Sequence, residues 1–226
     1  MNWDRVLAIV GVVIGIPGFL IFFLSDKLAH AVVVLVVVCA CAAWWIYTIW
    51  RDRRPVFTVF LLEKTLEIKD PLDAFVTRRQ KVRINHKGIT EWWCRNLATD
   101  GTIQNILIDG MPPDETVESS GSLHVCRRFD PKNRGDFWES TLTYQVLDSF
   151  LKNREEYIHF TGFETKNLKV EVRLCRPCTA AELYLTYAGE QRESLSAPVI
   201  SPDKRVITYE LKRPLLGAQY HLRWFW

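Results

Sequence analysis

The sequence predicts an N-terminal two-helix transmembrane hairpin followed by a mainly-β cytoplasmic domain, either an antiparallel β-sandwich or a barrel. Three observations predict it. The 226-residue chain holds 29 Lys and Arg against 26 Asp and Glu, yet only Asp4, Arg5, Asp26 and Lys27 fall in the first fifty positions. Those fifty positions are filled by two long apolar runs. Beyond Pro55 the pattern turns to short alternating runs separated by Gly, Pro and Asp turn signals.

The first apolar run is Val6 to Leu24 and the second Ala31 to Trp50, with only SDKLAH between them. Roughly 20 apolar residues at 1.5 Å rise are needed to cross ~30 Å of hydrocarbon. Each run is close to that length, and so short a link requires an antiparallel hairpin. Trp44, Trp45, Tyr47 and Trp50 gather at the end of the second run, where amphipathic rings favour the headgroup zone. Arg51, Arg53 and Arg54 follow at once, and basic residues beside a span stay on the cytoplasmic side. The expectation is a multi-pass protein of the inner membrane with both ends in the cytoplasm and the lipid bilayer as a partner. A cleaved signal fits less well, because the first run exceeds the usual 7–15-residue apolar core and a second run follows. Pro17 should kink the first span, and Gly11, Gly15 and Gly18 lie close to one helical face that could admit a neighbouring helix.

The domain layout expected is therefore a hairpin over 1–54, a juxtamembrane connector over 55–80 and an all-β sensing domain over 81–226. Within the last, STLTYQVLDSF alternates Leu142, Tyr144 and Val146 against polar neighbours, and LKVEVRL sets Leu168, Val170, Val172 and Leu174 on one side. KVRINHKGI, AELYLTYAG, RVITYELK and YHLRWFW repeat the period of two with β-branched and aromatic residues. PVFTVFLLEKTLEIKD either continues as a helix or opens the sheet, and ITEWWCRNLA reads as a short helix or a strand. Asp109 to Gly121 reads as the most mobile loop.

Six cysteines are present. Cys39 and Cys41 lie in the second run, where a thiol is a small apolar group. Cys175 and Cys178 form the one C-x-x-C, but no second pair stands at zinc-site spacing, and Pro177 suits a tight turn. No G-x-S-x-G, H-E-x-x-H or Gly-rich phosphate loop occurs. The chain therefore reads as a binding protein rather than an enzyme, with no cofactor and no metal. A net charge of +3 is too small to point to a DNA or RNA polymer. The binding candidates are the arginine pairs Arg78-Arg79 and Arg127-Arg128 with Trp138 nearby in sequence, since guanidinium forks hold phosphates and flat rings stack on bases.

A hairpin from Val6 to Trp50 followed by strands from about Lys81 to Trp226 resembles a class of bacterial anti-phage effectors, the CBASS effectors of the Cap15 kind and similar proteins. The resemblance is one of architecture and carries over no binding residue. It implies that the β domain senses a cyclic di- or oligonucleotide and controls homo-oligomerisation and disruption of the inner membrane by the hairpin. The alternative is a membrane-anchored scaffold whose β domain binds a protein partner through a sheet edge.

Overall fold

The computed structural model describes residues 27–52, 55–97, 99–119, 121–187 and 191–226. The chain divides into two units, Met1–Arg54 and Pro55–Trp226. In the first unit the described element is helix α1, Lys27–Asp52. It contains no Gly or Pro, and Pro55 stands shortly after its end, where a helix cannot easily continue.

This overturns the predicted hairpin. Among the described residues no helix is long and apolar enough to cross a membrane. The run of α1 free of aromatic residues and charge, residues 31–43, spans only ~20 Å at 1.5 Å rise, and Ile46 and Ile49 beyond it stand among Trp44, Trp45, Tyr47, Thr48 and Trp50. Counting the terminal tryptophans and tyrosine as span residues overstated the apolar length. The multi-pass placement in the inner membrane, with both ends cytoplasmic, falls with the hairpin. Trp44 and Trp45 are exposed on α1, and Trp50 and Arg51 lie in the same helix. Arg53, Arg54, Gly11, Gly15, Pro17 and Gly18 lie outside the described residues.

In the second unit the described residues form fourteen strands. They are β1 (Phe57–Asp70), β2 (Asp73–Ile84), β3 (Ile89–Leu97), β4 (Thr102–Ile108), β5 (Glu115–Ser119), β6 (Ser122–Lys132) and β7 (Phe137–Leu147). After these come β8 (Arg154–Phe160), β9 (Asn167–Arg173), β10 (Ala180–Tyr187), β11 (Gln191–Ser194), β12 (Val199–Ile200), β13 (Val206–Lys212) and β14 (Gln219–Phe225). The expected sandwich or barrel is replaced by three open sheets. One has seven strands in the order β12-β13-β9-β1-β2-β7-β4, one has four in the order β11-β10-β14-β8, and one has three in the order β3-β6-β5. The seven-stranded sheet is not wholly antiparallel, because β1 and β9 run parallel.

Alternation explains which faces are covered. Leu62, Leu66 and Ile68 of β1, Ala74, Val76 and Val82 of β2, Leu142 and Val146 of β7, and Leu168, Val170 and Val172 of β9 are all buried. Leu222 and Trp224 of β14 and Leu183 of β10 belong to the same hydrophobic cluster, as do Trp92, Cys94 and Leu97 of β3. Successive side chains of a strand point to opposite faces, so each sheet contributes one apolar face to a shared core. Trp92 ties the three-stranded sheet to the seven-stranded one: its ring centroid lies 4.6 Å from Phe57, 5.5 Å from Trp138 and 5.3 Å from Phe163.

Candidate functional site: a cationic cleft between two sheets

The covered face of the seven-stranded sheet breaks its own apolar rule in one lateral row. Lys64 of β1 pairs in register with Arg78 of β2, and on its other side with Val170 of β9. Val170 in turn faces Tyr209 of β13, and Arg78 faces Leu142 of β7. The next row holds Leu66, Val76 and Tyr144 in consecutive strands. Two cations therefore stand side by side on a face otherwise given mostly to Leu, Val and Ile, with Gln80 and Ser140 in the neighbouring row. Like charges directly opposite one another in a sheet are destabilising.

Strand β8 lies over this row. Its buried residues Glu155 and His159 bracket Tyr157, which shares their face. The Lys64 ammonium stands 5.6 Å from the Tyr157 ring centroid. A cleft of about 810 Å³ opens between the two sheets, lined by Lys64, Arg78, Arg95, Tyr144, Tyr157 and Glu155 among others. That volume is in the range of small-molecule sites, ~300–1,000 Å³.

The polar groups of the cleft fall into two sets. Near the loops, partners are made within the protein. Lys152 pairs with Asp100 at 2.9 Å, and Ser149 also donates to that carboxylate. Burial pushes the Asp100 carboxyl up, but the Ser149 and Lys152 hydrogen bonds and the Lys152 charge outweigh it and hold the group below the usual range. Arg223 binds Glu182 at 2.8 Å and Glu156 at 3.0 Å, and Tyr184 donates to the same Glu156 carboxylate.

The inner set lacks such partners. Among the described residues Lys64 makes no hydrogen bond and no ion pair, and Arg78 has no acidic partner and a buried Nε without an acceptor. Outside the lining of the cleft, His159 is 3% exposed with neither ring nitrogen partnered, and the Tyr209 hydroxyl is likewise buried and unpartnered. The electrostatics follow. Burial first, and the Arg78 charge second, bring the Lys64 ammonium from 10.5 down to about 7, with Cys94 acting weakly the other way. Burial, then Lys64 and Arg78, hold the His159 imidazole well below its ordinary value, so it stays neutral. Burial lifts the Tyr144 phenol to about 12 and Tyr157 well above its usual value, so both remain donors. A covered site with two cations, two phenolic donors and no engaged carboxylate at its centre is arranged to receive an anion.

The sequence-predicted candidates do not form one constellation. Arg78 lines the cleft. Its neighbour Arg79 points to the opposite, exposed face, 3.6 Å from Glu139. Arg127 contacts Asp114 at 3.4 Å and Arg128 binds Glu115 at 2.7 Å, so their forks are occupied within the three-stranded sheet and its approach loop. Trp138 is a packing residue, 4.9 Å from Phe129 and 5.5 Å from Trp92. Sequence reasoning passed over Lys64, Tyr157 and His159. A signal was present, because Lys64 falls in phase with Leu62, Leu66 and Ile68, as Arg78 does with Val76 and Val82. The Cys175/Cys178 pair sits in the turn after β9; both thiols are free, and burial pushes that of Cys178 up. Among the described residues no three His, Cys, Asp or Glu stand together as a metal site.

No protein-family model matches the chain, and no curated protein does. Among solved structures, an M1 zinc metallopeptidase from Deinococcus radiodurans is similar at 9% identity and a TM-score of 0.42, over 75% of this chain and 42% of that one. Leukotriene A4 hydrolase from Saccharomyces cerevisiae is similar at 11% identity and a TM-score of 0.42, over 74% of this chain and 29% of that one. The chain thus spans less than half the length of these structures. At such scores the likeness carries no functional argument.

Proposed function

We propose that the β unit is a receptor for a small phosphate-bearing ligand, the chemical class that includes cyclic di- and oligonucleotides. In this reading the phosphate lies between Lys64 and Arg78, with the Tyr144 and Tyr157 hydroxyls donating to it. The observation that carries the reading is the unpaired Lys64–Arg78 row on a covered sheet face. An anion there offsets the like-charge repulsion between Lys64 and Arg78, so binding favours the arrangement that brings β8 over β1 and β2. Such a difference between free and bound states is what a sensor needs in order to alter its self-association. The reading rests on the cleft and makes no use of the hairpin.

Calorimetric titration of the full chain with a panel of cyclic dinucleotides tests this. Lys64→Met and Arg78→Met should each weaken binding at least ~30-fold, the loss of about 2 kcal/mol for a charge-assisted contact. Arg127→Met and Arg128→Met should leave it unchanged. Binding that survives Arg78→Met would end the proposal.

A second reading is docking of a protein segment along β8. This is an edge strand whose outer face exposes Ile158 and Phe160, at 49% and 45%. Added strands hydrogen-bond to such edges. It predicts partner capture that Ile158→Lys abolishes and cyclic dinucleotides leave untouched.

A further inference from the structure

We propose that the Lys64 amine is a covalent acceptor, condensing to an imine with a small aldehyde whose phosphate is held by Arg78. The inference rests on the phosphate-binding reading and adds a bond-forming step to it.

The surroundings of the amine carry the argument. The other described lysines with resolved contacts are engaged at the surface. Lys81 pairs with Glu139, Lys152 with Asp100, Lys166 with Glu164 and Lys169 with Glu210, and Lys69 lies over the Phe75 ring. Lys64 and Lys152 both line the cleft, but Lys152 is paired with Asp100, whereas among the described residues no carboxylate pairs with Lys64. Arg78 from β2 and Cys94 from β3 act on it, and Tyr144 from β7 and Tyr157 and His159 from β8 stand in the same surroundings. Arg95 from β3 and Glu155 from β8 line the same cleft, the Glu155 carboxylate accepting from the Lys152 backbone amide. Among the described residues none of these groups makes an ion pair or a hydrogen bond with the Lys64 amine. With its pKa brought to about 7, about half of the amine is unprotonated in neutral solution, and an unprotonated amine is the nucleophile that carbonyl condensation needs. Arg78, in register beside it, supplies the fixed cation that would orient a phosphate and present the carbonyl.

The step balances without an oxidant or reductant. The Lys64 nitrogen lone pair adds to the carbonyl carbon and the carbonyl π pair moves to oxygen. A proton passes from nitrogen to that oxygen, giving a carbinolamine. The hydroxyl then leaves as water, taking a second proton, while the C=N bond forms. Tyr157, whose ring centroid lies 5.6 Å from the amine, is the neighbouring protic side chain on β8.

The probe is pyridoxal 5′-phosphate, incubated with the full chain near neutral pH and trapped with borohydride before peptide mass spectrometry. The expected result is a reduced adduct on Lys64, with labelling about tenfold or more above that of Lys152, whose pKa the Asp100 hydrogen bond and charge raise. Inorganic phosphate should suppress the Lys64 adduct and leave the background labelling of the other lysines unchanged. Lys64→Arg should abolish the adduct with the circular dichroism spectrum retained, and wild-type competition serves even if a variant fails to fold. Labelling spread evenly over the lysines overturns the imine. If cyclic dinucleotides still bind and require Arg78 while no adduct forms, only the imine fails. If pyridoxal without its phosphate labels Lys64 equally well and phosphate does not compete, the phosphate-binding reading fails as well.

Discussion

Lys64 and Arg78 face one another on the covered side of a sheet, and the cost of that arrangement has a measurable sign. The Lys64 pKa is lowered from 10.5 to about 7. The unfolded chain therefore holds a proton that the folded chain sheds between those values, and stability from this group rises with pH across that window. Below about pH 7 the penalty is fully present. Lys64→Met should thus be more stable than the parent at pH 6, by about 1–3 kcal/mol for a poorly compensated buried polar group. The gap should close toward pH 10, as read by urea unfolding at each pH; a gap independent of pH would refute the assignment. Legibility at this scale was partial. Arginine pairs pointed to Arg78, but pairing was the wrong criterion. Neighbours in a strand face opposite ways, so Arg79 is at the surface, while Arg127 and Arg128 are taken by acids brought close only by folding. The better signal was a cation in phase with an apolar face, and that signal finds Lys64 as well.

Among the elements, β7, β9, β10, β13 and β14 were readable from alternation because each presents one mostly apolar face, broken in β7 by the buried Ser140. Strand β1 was less so. Its register with β2 shifts between Val59 and Leu61 and again between Ile68 and Asp70, which breaks a simple period of two. Its parallel pairing with β9 joins segments about a hundred residues apart, and no local pattern encodes that. The stretch read as a mobile loop, Asp109 to Gly121, contains β5 paired with β6. The apolar run of α1 was legible as a helix, but its length in aliphatic residues decided against a crossing. One element-scale test concerns the entry to β4. A Cβ on Gly101 would lie 1.9 Å from the Leu147 carbonyl oxygen, a backbone atom that cannot swing aside. Gly101→Ala should cost about 3 kcal/mol and disturb the pairing of β4 with β7. Hydrogen exchange of the β4 amides reads that disturbance directly; unchanged protection would contradict it.

At the scale of the whole molecule, three sheets share one core, and Trp92 is where two of them meet, fully buried. Trp92→Ala should destabilise the chain by about 3–5 kcal/mol. Because the same ring packs against β1, β7 and the segment around Phe163, loss should appear as one earlier unfolding transition rather than as separate melting of the three-stranded sheet. The cleft belongs to this scale too, since its walls come from two different sheets, and ligand that fills it should stabilise both. The most direct measurement of the central claim is the pH dependence of cyclic dinucleotide binding by the full chain, because a phosphodiester does not titrate near neutrality. Binding an anion beside Lys64 should draw a proton onto its amine. Affinity is then expected to be constant below about pH 7 and to fall by up to about tenfold per pH unit above it, a dependence absent from Lys64→Met. Affinity that is flat from pH 6 to 9 in the parent chain, or no binding at all, would contradict the account.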